Sequence, residues 1–324
     1  MKNLKRTLSL LLAILLLSFI LYLHLGGPAN PFPDEGDYPF TNSRQCRKCH
    51  FEIYEEWRSS FHALSYKDRL VKKLSKNFRE VDCISCHAPR PLLLSDIPAT
   101  PIGRENILDE GVSCLSCHRT GAGAATASRQ SEGPCRPVQD GRISTVELCK
   151  CCHNIHGTVN DWEKTPLKLE GRNCISCHMP FVKRNNGKQQ RTHNWHGGHS
   201  KEMVAKAVQV SASLDKVKNM LIVETANIGA GHNVPTELRH RSLDLEIVIK
   251  KGWLNQKKKR YSFRNPYKGE GGENTQLKFG EKRQFTFELP EGKGEAEIKL
   301  IYRYMPYGEG SDGEVIQKIA IPFN

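Results

Sequence analysis

Five short stretches of the chain share a spacing of cysteine and histidine that can hold an iron porphyrin. Two thiols one turn apart can form thioethers with the two vinyl groups of one haem, and a histidine directly after them can bind the iron. The five motifs, numbered here in chain order, are Cys46-Cys49-His50, Cys83-Cys86-His87, Cys114-Cys117-His118, Cys149-Cys152-His153 and Cys174-Cys177-His178.

Other roles for cysteine pairs explain this pattern less well. A zinc ribbon needs two pairs for one tetrahedral site, so five pairs is an odd number, and neither zinc nor a disulfide framework requires a histidine after every second cysteine. The pattern therefore predicts five covalently bound c-type haems, each with a proximal histidine ligand. Of the twelve cysteines, Cys135 and Cys151 remain, and they could form a disulfide or stay as two free thiols.

A second ligand for each iron would have to come from the histidines outside the motifs. Of the thirteen histidines, His24 lies in the N-terminal apolar run, and His240 stands between two arginines and is predicted to be a surface residue. His196 is a reserve candidate. The predicted distal ligands are His62, His156, His193, His199 and His232.

The N-terminus has the composition of an export signal or a membrane anchor. Lys2, Lys5 and Arg6 precede an apolar run over residues 8–25, which is close to the roughly 20 residues that span a bilayer. We assign residues 1–30 to a signal peptide or an uncleaved anchor and expect the rest of the chain to lie in the periplasm or elsewhere outside the cytoplasm.

The formal net charge of +13 does not indicate nucleic-acid binding here. Each haem carries two propionates, so five haems would offset most of this charge, and basic side chains that pair with propionates would reduce the cost of burying them. We therefore expect no nucleic-acid partner. The cluster KKKR at residues 257–260 is predicted to be an exposed hairpin tip.

Composition divides the chain into two parts. All the cysteines lie in residues 31–200, the predicted pentahaem domain, where the porphyrins would form the core among short helices and loops. Residues 51–78 are its clearest helical stretch, with Ile53, Trp57, Phe61 and Leu64 spaced for one face.

Residues 201–324 lack cysteine and show apolar residues at every second position. The clearest alternating runs, at residues 221–228, 242–249, 283–289 and 295–304, are separated by turn residues. This pattern predicts an antiparallel β-sandwich. The predicted fold class is α+β and multidomain: a haem-packed, mainly helical and irregular domain followed by a β-sandwich.

The first motif and its neighbourhood resemble a known group of proteins. "CRKCHFEIYEEWRSSFHA" is similar to the first haem segment of the tetrahaem cytochromes c of nitrifying bacteria and their multihaem relatives, and "EGVSCLSCH", "RTHNWHGGH" and the Gly-His-x-x-Pro-Thr segment of the β-rich part fit the same wider group. The resemblance implies that His62 is a distal ligand. Relatives often carry a histidine shortly before the fourth motif; here Cys135 stands in that segment. This departure implies that His196 or His232 replaces the ligand, or that one iron is open.

The sequence is consistent with two functions, electron transfer and catalysis at an open haem iron. The sequence contains enough histidines to fill all five irons, which favours electron transfer through closely packed, mostly bis-histidine haems, with no catalytic residue. The expected partners are redox proteins or quinone-linked membrane donors, and the membrane itself if the N-terminal segment is retained. The alternative is an oxidoreductase acting on nitrogen or sulfur compounds at one open iron.

Overall fold

The computed structural model describes residues 16–17, 38–80, 82–127, 132–236, 241–252, 255–266, 269–304 and 313–324. Within them a part built of short helices and irregular segments is followed by an antiparallel β-sandwich, which confirms the predicted α+β class. The predicted signal or anchor lies outside the described residues apart from two positions. No helix in the described part of the chain is long and apolar enough to cross a membrane.

The helices of the first part are short, and most carry or adjoin a haem-attachment motif. Between them run single turns of 3₁₀-helix at Leu92–Leu94, Leu108–Glu110, Gly141–Ser144 and Pro166–Lys168. The α-helices are α1 (Ser43–Cys46), α2 (Phe51–Ser59), α3 (Phe61–Leu64), α4 (Arg69–Leu74), α5 (Asp82–His87), α6 (Cys114–His118), α7 (Val146–His153), α8 (Thr158–Glu163), α9 (Cys174–His178) and, before the sandwich, α10 (Lys201–Ala207).

The stretch predicted to be helical over residues 51–78 is three helices rather than one. Ser60 ends α2 in an extended conformation, and its side chain accepts a hydrogen bond from the amide of Ala63, so it caps α3. Trp57 is buried as predicted, whereas Phe61 is 43% exposed within the polypeptide. The break turns α3 and its histidine, His62, away from the axis of α2.

Four short strands belong to the helical part. β1 (Ala124–Thr126) pairs in parallel with β2 (Pro137–Gln139), and β3 (Phe181–Lys183) pairs with β4 (Gln189–Arg191) in an antiparallel hairpin. These small sheets fix the loops that follow the third and fifth motifs.

The sandwich consists of a three-stranded and a four-stranded sheet. The strand orders are β5-β6-β9 and β11-β10-β7-β8, and every pairing is antiparallel. The strands are β5 (Val208–Asp215), β6 (Met220–Asn227), β7 (Ser242–Lys251), β8 (Asn255–Phe263), β9 (Lys282–Glu288), β10 (Gly294–Arg303) and β11 (Gly313–Phe323).

Alternation of apolar residues places one face of each sheet in a common core. In β10, Ala296, Ile298 and Leu300 have no exposed surface, and they pack with Leu221 and Val223 of the opposite sheet. Burial of this kind stabilises the fold by about 25 cal/mol per Å² of apolar surface. The sandwich therefore has a core made of its own side chains.

One predicted loop is a strand. Residues 257–260 lie within β8, at the edge of the four-stranded sheet, and not at a hairpin tip. Their side chains are exposed, as expected. Lysine on an edge strand discourages pairing with another chain, which explains why such a polar run can sit in a sheet.

Candidate haem-binding site

The motifs place both thiols and the histidine on one helical turn. In the second to fifth motifs the histidine is the last residue of its helix, at the ends of α5, α6, α7 and α9. Side-chain caps at Ser113 and Asn173 fix the starts of α6 and α9. Residues three and four apart share one face of a helix, so each turn presents two thiols and one imidazole to the same side.

Backbone carbonyls orient three of the motif histidines. Nδ1 of His87 lies 3.1 Å from the carbonyl of Ser65, that of His118 lies 2.8 Å from Ala125, and that of His178 lies 2.6 Å from His196. A ring that donates from Nδ1 to a carbonyl keeps Nε2 unprotonated and available to a metal. These contacts fit proximal iron ligands.

Three pairs of histidine rings stand at the separation expected across one iron. A metal–imidazole bond of about 2.0 Å and a ring radius of about 1.1 Å put the two centroids about 6.2 Å apart. The observed separations are 6.0 Å for His62 and His153, 6.2 Å for His118 and His193, and 6.4 Å for His178 and His232. Each pair joins one motif histidine to one predicted distal ligand.

His62 is the most enclosed of the predicted distal ligands. Its Nδ1 is buried without a hydrogen-bond partner among the described residues. Burial, with the neighbouring His153, His178 and His193, lowers the pKa of His62 to about 3. The ring is therefore neutral, the form that binds a metal, and its unpartnered nitrogen is a buried polar atom that a ligand bond would satisfy.

An ion pair between the buried Arg184 and the partly exposed Glu56 positions His193. The carboxylate of Glu56 in α2 accepts hydrogen bonds from Arg184 at 2.5 and 2.8 Å and from the amide of His193 at 2.9 Å. Arg184 also donates to the carbonyl of Arg191. Arg191 is the last residue of β4 and lies two residues before His193. These bonds attach the segment that carries His193 to α2. Sequence reasoning missed this pair, because its members are 128 residues apart.

His232 comes from the β-sandwich. It lies in the loop after β6, where Nδ2 of Asn227 donates to its carbonyl at 2.9 Å and to Leu277 at 3.2 Å. Val234 and Leu277 exchange two backbone hydrogen bonds of 2.9 Å. The loop is thus fixed to the sandwich while it holds His232 opposite His178.

The other predicted ligands are placed differently. His156 is exposed, and so is the reserve candidate His196, which uses its carbonyl to orient His178. The ring of His199 is stacked between Phe61 and Tyr304, and Arg241 reaches its Nε2 at 2.6 Å. His240 lies outside the described residues.

Two motif histidines make no ring contact with another histidine within the described part of the chain. His50 is exposed and precedes α2, and His87 has the edge of Phe78 beside it at 6.1 Å. The predicted ligand sets are therefore brought together for the third, fourth and fifth motifs and not for the first and second.

Thiols of different motifs lie next to one another. The thiol of Cys46 lies near that of Cys114, Cys86 near Cys152, and Cys149 near Cys174, and in each pair the neighbouring thiol, together with burial, raises the pKa of one of the two. Such contacts bring the attachment points of the first and third, second and fourth, and fourth and fifth motifs together.

The two spare cysteines are both free thiols in the structure. Cys151 is buried in α7, and its thiol donates to the carbonyl of Glu147 at 3.4 Å. The carbonyl of Cys135 accepts from the hydroxyl of Tyr38 at 3.2 Å. No group of three or more metal-binding side chains outside this haem chemistry is found among the described residues.

Comparison with known proteins supports the haem interpretation. Residues 45–119, which contain the first three motifs, match the family described as cytochrome c554 and c-prime. The fold is similar to that of a penta-heme cytochrome c552 from Thermochromatium tepidum, with a TM-score of 0.65 and 17% sequence identity over 87% of this chain and 99% of that one. A second solved structure, a putative ApaA protein from Bordetella pertussis, covers 35% of this chain and 91% of its own at 16% identity, and its TM-score of 0.20 is too low to support a comparison. No curated protein matches.

Proposed function

We propose that this multihaem c-type cytochrome, whose haem is bound covalently, carries electrons through five closely packed haems outside the cytoplasm. The observation that supports this proposal most directly is the close grouping of the motifs: the rings of three motif histidines lie 6.0–6.4 Å from those of predicted distal ligands, and attachment thiols of different motifs are neighbours. A thioether joins each thiol to the edge of its porphyrin, so neighbouring thiols imply neighbouring porphyrin edges. The role of the polypeptide in such a chain is to hold the haems close and to set their potentials.

The contacts also suggest an order for the haems. The first and third are joined through Ser43, whose hydroxyl donates to Glu110 at 2.8 Å and accepts from the amide of Cys114 at 3.1 Å. The second and fourth are joined through Ser65, which orients His87 and directly follows α3, the helix of His62. The fourth and fifth share the contact of Cys149 with Cys174.

Trp195 connects these groups. Its ring centroid is 4.6 Å from that of His62 and 5.0 Å from that of His193. It therefore lies between the proposed distal ligands of the fourth and third haems. We propose a continuous route from the first haem through the third and fourth to the fifth, with the second haem as a branch at the fourth.

The partners and location follow from this role. Electrons would enter from and leave to redox proteins or quinone-linked membrane donors. Residues 1–30 would direct export and, if retained, hold the cytochrome at the membrane. Covalent attachment of haem after export supports a periplasmic or other extracytoplasmic site.

Electron paramagnetic resonance of the oxidised, full-length holoprotein tests the proposal. Closely packed ferric haems interact magnetically, so we expect broadened low-spin signals that do not sum as independent centres. Stepwise reduction should change the signal of one haem as its neighbour is reduced. Five independent, unbroadened signals would exclude a closely packed chain.

One observation favours a second function. His50 and His87 make no ring contact with another histidine among the described residues. An iron with a free position could act as an oxidoreductase on nitrogen or sulfur compounds. A high-spin ferric signal together with turnover of nitrite, hydroxylamine or sulfite would support this function, and a fully low-spin protein without turnover would exclude it.

A further inference from the structure

Arg241 is a buried cation whose hydrogen-bond partners among the described residues are neutral. It is 9% exposed and directly precedes β7. Its Nη2 lies 2.6 Å from Nε2 of His199, and its Nη1 donates to the hydroxyl of Tyr302 at 3.4 Å. A guanidinium can only donate hydrogen bonds, so His199 accepts through an unprotonated nitrogen and is itself neutral.

The guanidinium also has an unused donor. Its Nε is buried and has no hydrogen-bond partner among the described residues. None of the ion pairs within the described part of the chain includes Arg241. A buried charge that is neither paired nor fully hydrogen-bonded is costly, so the position calls for an anion.

The surroundings place this cation beside the haem chain. His199 stacks on Phe61 with centroids 3.5 Å apart, and Phe61 directly precedes His62, the residue opposite His153. On its other side, His199 stacks on Tyr304 at the end of β10. Arg241 therefore lies at the contact between the sandwich and the helix that serves the fourth haem.

A glycine allows this close packing. A Cβ atom at Gly198 would lie 2.5 Å from the hydroxyl of Tyr302 and 2.6 Å from Nη1 of Arg241. The chain thus passes directly over the guanidinium without a side chain. Together, the backbone at Gly198, the ring of His199 and Tyr302 hold the guanidinium in one orientation.

We propose that Arg241 binds an oxyanion, supplied by a propionate of the fourth haem or by a small free anion such as phosphate or sulfite. Planar, forked guanidinium donors match the two oxygens of a carboxylate or an oxyanion. The propionate source rests on the haem arrangement proposed above, whereas the free-anion source does not. Neither the haem-attachment residues nor the ligand pairs take part in this site.

The test compares full-length holoprotein with the variants Arg241→Gln and Arg241→Lys. Lys257→Gln is the control, because it removes one positive charge from an exposed position of the same sandwich. Haem content, spin state, thermal midpoint and the midpoint potential of each haem are measured in anion-poor buffer. The thermal midpoint is then followed as phosphate or sulfite is added.

A propionate partner predicts that Arg241→Gln shifts the potential of one haem to a more negative value and lowers the thermal midpoint. Haem content and spin state should stay as in the wild type, so this outcome does not depend on the ligand pairs. In Arg241→Lys the midpoint potential of that haem should stay close to the wild-type value, because the positive charge is retained. Lys257→Gln should change neither the potential nor the thermal midpoint.

A free oxyanion predicts a different result. The wild-type thermal midpoint should rise and saturate as the anion is added, the rise should be absent in Arg241→Gln, and no haem potential should shift in anion-poor buffer. If Arg241→Gln does not accumulate, Arg241→Lys serves instead, with a weaker effect in the same direction because the forked geometry is lost.

The proposal is overturned if the substitution leaves or raises the thermal midpoint, shifts no potential, and abolishes no response to anions. Arg241 would then be a buried cation without a ligand, whose removal relieves a cost.

Discussion

His62 is the proposed distal ligand of the fourth haem, and the helix that carries it also adjoins the second motif. Its ring faces His153 of the fourth motif, while Ser65, one residue past its helix, orients His87 of the second. Its buried Nδ1 has no hydrogen-bond partner among the described residues, which fits a side chain whose partner is a bound metal. A substitution of His62 should therefore change the spin state of one haem iron more than it changes the stability of the fold.

Replacement of His62 by alanine should convert one haem from low-spin to high-spin and open it to carbon monoxide. All five haems should stay attached, because attachment needs only the cysteines and the proximal histidine, and the potential of that haem should rise with the loss of a donor to ferric iron. The exposed Lys257 of β8 provides the control, because Lys257→Ala should change neither the spin state nor the haem potentials. A variant at position 62 that stays entirely low-spin and binds no carbon monoxide would contradict the assignment.

Glu56 acts at the same scale, through its contacts with Arg184 and the amide of His193. Arg184 is buried but the side chain of Glu56 is 19% exposed, so removal of the carboxylate, which leaves a buried guanidinium without its charged partner, should cost about 1–3 kcal/mol. Glu56→Ala should lower the free energy of unfolding by about that amount and give a high-spin fraction at the third haem. The more conservative Glu56→Gln retains an acceptor for the amide of His193 but lacks the charge. Compared with Glu56→Ala, it should recover more of the low-spin signal than of the free energy of unfolding. Equal loss of both in the two variants would show that Glu56 does not position the ligand.

At the scale of elements, the loop after β6 joins the sandwich to the fifth motif, since it places His232 opposite His178. Asn227 is 1% exposed and bonds the carbonyls of His232 and Leu277 and the amide of Ala230. Because His232 and Ala230 belong to the turn that presents the imidazole, and Leu277 lies in the segment that pairs with that turn, the stability of the loop and the proposed ligation of the haem should change together.

Asn227→Ala should destabilise the protein by about 1–3 kcal/mol, the cost of leaving buried backbone groups unsatisfied. It should also release His232 and produce a high-spin fraction at the fifth haem. Thermal unfolding and electron paramagnetic resonance measure the two effects. The exposed Ser213 in β5 provides the control, since Ser213→Ala should change the stability by less than about 0.5 kcal/mol. Destabilisation with an unchanged spin state would show that the loop does not position a ligand of the fifth haem.

At the scale of the whole molecule, the helical part and the sandwich share one proposed function. The sandwich contributes His232 and Arg241, and its own core of side chains gives these residues a rigid support. Hydrogen bonding between Thr158 and Thr236 at 2.6 Å is a further contact between the two parts.

The purified holoprotein should carry a mass increment of five haems. Each motif supplies both thioethers for one porphyrin, so substitution of the two cysteines of any one motif by serine should reduce the increment by one haem. Mass spectrometry of the intact, denatured chain measures both. An increment of four or six haems on the wild type would contradict the count, and a Cys135→Ser and Cys151→Ser double variant should leave it unchanged.

Much of this arrangement was predictable from the sequence because it depends on local spacing. Two cysteines and a histidine within five residues indicate an attachment site wherever they occur in the chain, because they span only one helical turn. Alternation of apolar residues identified β6, β7, β9 and β10. The broken helix at Ser60 and the position of residues 257–260 within β8 were not predicted, since caps and edge pairing compete with periodicity over a few residues.

The pairing of histidines was decided only by the tertiary structure. His62 and His153 are far apart in the chain, as are His118 and His193, and nothing in local spacing says which imidazole will stand opposite which. The same holds for Glu56 with Arg184 and for Arg241 with His199. The sequence by itself determined the five candidate attachment sites, because each depends only on the spacing within one helical turn. The tertiary structure decided which histidine rings stand opposite one another, because that depends on how distant segments pack.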